Sequence, residues 1–160
     1  MEALLTAIVI WISANHGLPP TFDHPRIERV PSVEMAGLRH NGLVSALRRT
    51  ATAIQEPESS FEKRRDVVAL YNDQTKTIYL SDKWAGNTPA ELSVIVHEMV
   101  HHLQNAAGTA YECSAEREKL AYQVQDKWLG LFGRSLESEF GVNGLALLVS
   151  TSCAMAMGLH

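Results

Sequence analysis

The sequence predicts an α+β domain: a small antiparallel sheet packed on one central helix, with further helices before and after it. Three observations predict it. Leu92, Ile95, Val96, Met99, Val100 and Leu103 recur with helical spacing. Residues 67–71 and 77–81 are two runs of β-forming residues divided by a polar stretch, the pattern of a hairpin. Apolar segments of helical character stand near both ends of the chain. A single domain is expected for 160 residues. A chain of this size buries roughly 68–70% of its unfolded surface and folds without a staple.

The elements follow in order. Residues 2–15 read as a buried helix closed by Gly17, with Leu4, Leu5, Ile8, Trp11 and Ile12 facing inward. Its apolar run, residues 3–12, is far shorter than the ~20 residues needed to span a membrane. It resembles a signal-peptide core but lacks a basic leader, and Glu2 is acidic. Leu18-Pro19-Pro20 forces extended chain. Residues 25–30 read as a strand ending at Pro31. Ser32 caps a short helix over 33–40, and Leu43, Ala46, Leu47, Thr50 and Ile54 outline another helix face. Residues 55–60 form a polar loop, and the mixed-charge run 62–66 is a solvated strand entry. The hairpin loop, 72–76, holds about five residues. Residues 83–87 lead from the sheet to the central helix, and Trp84 fits either a substrate pocket or the core.

Thr88-Pro89-Ala90-Glu91 starts the central helix as a capping box, with proline at the first helical position. Gly108 is its stop. A second helix opens within 111–122 and runs to about residue 132. Its apolar stripe is Leu120, Ala121, Val124, Trp128 and Leu131. Residues 144–157 read as a C-terminal packing helix, interrupted by Ser150, Thr151 and Ser152. No transmembrane span is expected.

The central helix carries His97-Glu98-Met99-Val100-His101, an H-E-x-x-H pattern. Residues four apart on a helix share one face. His97 and His101 can therefore close on one metal ion. Glu98, beside the first of them, is placed to take a proton from a water at that ion. Two neutral imidazoles as ligands and one non-ligating carboxylate as base are the mixture that a catalytic Zn²⁺ needs. Such a site needs a third protein ligand and an open fourth position. A nearby third histidine is excluded, because none occurs between His102 and His160.

On these residues the chain resembles the gluzincins, metallopeptidases whose third ligand is a glutamate on the helix after H-E-x-x-H. More closely, it resembles a small bacterial family of uncharacterised zincin-like peptidases. The likeness covers residues 96–128, above all HEMVHHLQ and REKLAYQVQ. It implies a minimal zincin-like fold over residues 1–160, bound zinc, and hydrolysis of a peptide or protein substrate, for which the sheet ahead of the helix offers an exposed strand edge.

Several gluzincin families place the third ligand in an E-x-x-A pattern, where the small alanine lets two helices approach. Glu118 with Ala121 fits, and so does Glu112 with Ala115. Glu118 lies inside the second helix, where a ligand is held rigidly. Glu112 is nearer the loop, where it would favour the helix dipole, and Glu116 falls on the far margin of the apolar stripe. Glu118 is the expected ligand, with Glu112 and Glu116 as alternatives. Gln104 and Gln125 are candidates for orienting the histidines. Arg117 and Tyr122 are candidates for stabilising an oxyanion, with a core tyrosine equally expected. His102 reads as a polar residue on the helix flank. His16, His24, His40 and His160 read as surface or loop residues.

A net charge of −4 argues against a nucleic-acid groove or an anionic membrane surface as partner. The two cysteines, Cys113 and Cys153, fit a disulfide or two buried thiols equally, and no C-x-x-C pair suggests a cysteine zinc site. Cytoplasmic and exported locations both stay open, as does the oligomeric state. The expected function is a zinc hydrolase of peptides with Glu98 as general base. Its rival is a non-catalytic metal-binding or interaction domain that keeps the same scaffold.

Overall fold

The computed structural model describes residues 1–32, 34, 35, 38 and 69–153. The helix face expected at 43–54, the loop at 55–60, the charged run at 62–66 and the strand start at 67–68 lie outside the described residues, as do His40 and His160.

Helix α1, Glu2–His16, ends as expected at Gly17, whose backbone takes the left-handed conformation and donates its N–H to Ser13 O. It buries Leu5, Ile8, Val9 and Ile12, and Leu4 and Trp11 pack at the margin. Strand β1, Arg26–Val30, follows. Pro31 O then accepts from the N–H groups of Glu34 and Met35, so the helical turn here is started by a carbonyl. Ser32 was expected to cap it. Its hydroxyl bonds Ser81 and Asp82 instead.

Strands β2, Ala69–Asn72, and β3, Thr77–Ser81, form the antiparallel hairpin. The connecting turn is one residue shorter than expected. Asn72 Oδ1 accepts from the N–H groups of Gln74 and Thr75 and nucleates it. The sheet departs from the wholly antiparallel expectation. Its order is β1-β3-β2, and β1 runs parallel to β3. A short turn forces β2 and β3 to be antiparallel, whereas the long connection after β1 permits a parallel pairing.

Helix α2, Pro89–Ala106, begins with the expected capping box. Glu91 also accepts from the N–H groups of Ala85 and Asn87, which fixes the approach to the helix. Every residue from Ile95 to Gln104 is buried. Such burial requires cover all round, and α2 packs on α1, on β2 and on helix α3, Ser114–Gly130. Trp84 lies in this core and donates its indole N–H to Glu91 O, so its place is core packing and not a pocket wall.

Two short helices follow, α4, Leu136–Phe140, and α5, Gly144–Ser150. Helix α4 has no counterpart in the sequence expectations, although Ser135 caps it and Gly141 closes it. Its Leu136 joins Leu129 and Val142 in a second small apolar cluster. Leu131, expected in the stripe of α3, lies beyond the end of that helix and is exposed. Of the C-terminal helix expected at 144–157, α5 is the first part and is closed at Thr151, whose hydroxyl and N–H both donate to Leu147 O, while residues 154–157 lie outside the described residues. Cys113 and Cys153 form a disulfide that ties the start of α3 to the end of the described chain.

Candidate metal centre

Helix α2 puts His97 and His101 one turn apart on the side that faces α3. Their Nε2 atoms lie 3.2 Å apart. Glu118, in the second turn of α3, brings Oε2 to 3.1 Å from His97 Nε2 and Oε1 to 3.1 Å from His101 Nε2. Ala121, one turn on from Glu118 toward α2, is fully buried, which lets the two helices approach. His97, His101 and Glu118 are the one such donor cluster among the described residues.

The alternatives to Glu118 are used elsewhere. Glu112 precedes the helix and is exposed. Glu116 turns its carboxylate back to accept from Glu112 N–H. It therefore serves the helix mouth, because Cys113 at the N-cap position makes no side-chain cap of its own.

Hydrogen bonds around the site fix both imidazoles. Ser93 Oγ donates to Ala90 O. It therefore accepts from Gln125 Nε2, which turns Gln125 Oε1 toward His97 Nδ1 at 3.0 Å. A carbonyl oxygen only accepts, so His97 Nδ1 carries the hydrogen. In the same way Gln104 Nε2 donates to Arg117 O, and Gln104 Oε1 faces His101 Nδ1 at 3.0 Å. In their neutral form both imidazoles thus aim an Nε2 lone pair into the space beside Glu118. Gln104 and Gln125 hold the orienting positions expected of them.

Two lone pairs and a carboxylate this close repel each other unless a cation lies between them. Zinc–ligand bonds of about 2.0–2.1 Å at tetrahedral angles place donor atoms about 3.3 Å apart. The observed separations match, so the donor set fits zinc. In the metal-free chain a proton on an imidazole plays the part of that cation. Burial pushes Glu118 up, but hydrogen bonds and charge from the two imidazoles outweigh it and hold the carboxyl well below the usual range. Burial pushes His101 down, and Glu118 more than reverses this.

Glu98 is buried beside the set, on the flank toward the sheet. Its Oε2 accepts from Tyr71 N–H of β2 at 2.8 Å. Tyr122 sets its ring edge on His97, with centroids 4.7 Å apart. Arg117 does not face the site as an oxyanion donor. Its guanidinium is taken up by both carboxylate oxygens of Asp73, by Gln104 Oε1 and by His101 O. His102 is not a flank residue. It is fully buried, accepts from the Tyr71 hydroxyl and donates to Asp23 O, and burial lowers its pKa. His24 bonds Thr6, and His16 packs against Trp11, so both are half-buried residues.

Among the described residues no helix is long and apolar enough to cross a membrane. No curated protein and no solved structure matches the chain. One family does match, over residues 1–157, and its description is a domain of unknown function, DUF6647. The chain that builds this two-histidine, one-glutamate cluster belongs to the DUF6647 family.

Proposed function

We propose that the chain is a zinc-dependent hydrolase, and more finely a peptidase of zincin type. One observation carries the reading: three acceptor atoms converge, and both imidazoles have their other nitrogen committed to a glutamine oxygen. His97, His101 and Glu118 would hold the ion. Bound zinc supplies Lewis acidity, polarising a carbonyl oxygen and acidifying water.

The residues of the chain supply the rest. Glu98 keeps Oε2 on Tyr71 N–H, which fixes the carboxylate plane. Its Oε1 is the oxygen left to take a proton from the attacking water and return it to the leaving amine. The burial of Glu98 and of both histidines keeps bulk water from weakening these interactions.

The Tyr71 bond also favours a second reading, in which Glu98 only pins strand to helix and the domain binds metal without catalysis. Two measurements separate the readings. Purified without chelator, the parent should carry about one zinc per chain, lost in His97→Ala and His101→Ala. Glu98→Gln should keep the zinc and abolish peptide hydrolysis, since an amide cannot accept the proton. Hydrolysis at parental rates in Glu98→Gln removes Glu98 as base. Zinc bound with no cleavage by the parent across a broad peptide library moves the assignment to the non-catalytic domain.

A further inference from the structure

We infer that Arg117, braced by Asp73, sets the tautomer of His101 and so turns its Nε2 toward the metal position. This rests on the metal-centre reading, yet Arg117 touches none of the three donor atoms. The guanidinium can only donate and a backbone carbonyl can only accept. Arg117 presents both to one side chain. Its Nε donates to Gln104 Oε1 at 3.3 Å, and its carbonyl accepts from Gln104 Nε2 at 3.1 Å. The Gln104 amide is read at both ends by the same residue and cannot flip. Its oxygen is thereby held toward His101 Nδ1, which must carry the hydrogen.

Asp73 supplies the brace. It sits in the β2–β3 turn and engages both terminal nitrogens of Arg117 in a bidentate pair. One of those nitrogens also donates to His101 O at 3.0 Å. The fork geometry is one that lysine lacks. A polar cavity of about 230 Å³ borders Asp73, Gln104 and Arg117. Truncating either partner weakens or removes the donor to Gln104 Oε1 and admits water there, which leaves the backbone carbonyl of residue 117 as the amide's one fixed partner. His97 has a separate device, since Gln125 is oriented through Ser93 and Ala90. The dependence is therefore asymmetric: His101 relies on Arg117, and His97 does not.

The test uses the full chain with Arg117→Leu, Arg117→Lys and Asp73→Asn. Arg134→Leu is the control, since it breaks a surface pair with Glu139. Histidine tautomers are read by ¹⁵N NMR on the metal-free protein at a pH where the imidazoles are neutral. Zinc affinity is read by chelator competition. Arg117→Leu and Asp73→Asn should mix the His101 tautomers, leave His97 unmixed and weaken zinc by about 10–100-fold. Arg117→Lys should regain thermal stability without regaining the affinity, and the control should leave both readouts unmoved. An unmixed His101 with parental zinc affinity in Arg117→Leu and Asp73→Asn overturns the inference. If the parent binds no zinc, the metal reading fails, and the NMR readout still decides the tautomer.

Discussion

Glu112, Glu116 and Glu118 lie close in sequence, yet each meets different surroundings. Glu118 faces two imidazoles, Glu116 closes the helix mouth, and Glu112 stands outside the helix. Glu118→Ala should therefore weaken zinc by at least the roughly 10–100-fold typical of losing a residue that only orients a ligand. Glu112→Ala and Glu116→Ala should leave affinity nearly unchanged. Chelator competition decides the order, and a dominant Glu116 would transfer the ligand role to it. Protons compete with zinc for neutral imidazoles. His101 is held above its ordinary 6.5 in the metal-free protein, so the competition begins above that value as pH falls. Affinity should drop about tenfold per pH unit for each proton displaced. An affinity flat from mildly alkaline to mildly acidic pH contradicts this. The histidines were legible in the sequence because their spacing is local and helical. The use of Arg117 was not, because its partner Asp73 is 44 residues away and only the folded hairpin delivers it.

Elements with strong local signals match their expectations closely. The capping box of α2 and the glycine stop of α1 are chemistry within four residues, and both appear where the sequence places them. The parallel placement of β1 was not legible, since strand order depends on a long connection and not on the strand itself. Helix α4 is not legible in the sequence because five residues carry too little periodicity. The link between sheet and α2 depends on Gly86. Its φ is +71°, and a Cβ there would fall 2.4 Å from the Trp84 ring. Gly86→Ala should cost about 2–4 kcal/mol, from left-handed strain plus displacement of a buried indole. Equilibrium urea unfolding measures it, and a loss under 1 kcal/mol, the size of an ordinary surface change, would mean that Trp84 repacks freely.

On the scale of the whole molecule, the candidate metal centre is assembled from two helices held by different means. Helix α2 is locked in the core by contacts on every side. Helix α3 begins in an exposed loop and is tied at its first residues by the disulfide. The bridge closes a separation of 40 residues, for a nominal stabilisation of roughly 3–4 kcal/mol. Cys113→Ser with Cys153→Ser should lower the midpoint of thermal unfolding accordingly. An unchanged midpoint would show that the bridge adds nothing to the packed helices.

That bridge also divides the molecule topologically. Glu118 lies inside the covalent ring from Cys113 to Cys153, and both histidines lie outside it. The longest run of exposed residues described in the ring is Gly130–Arg134, which spans the turn between α3 and α4. Exposed turns are where proteases cut first. A single cut there opens the ring without releasing a fragment, since the bridge still joins the two pieces. Nicked protein should migrate as one band without reductant and as two with it. Its histidines and Glu118 remain on the same piece, so the donor cluster outlives the cut.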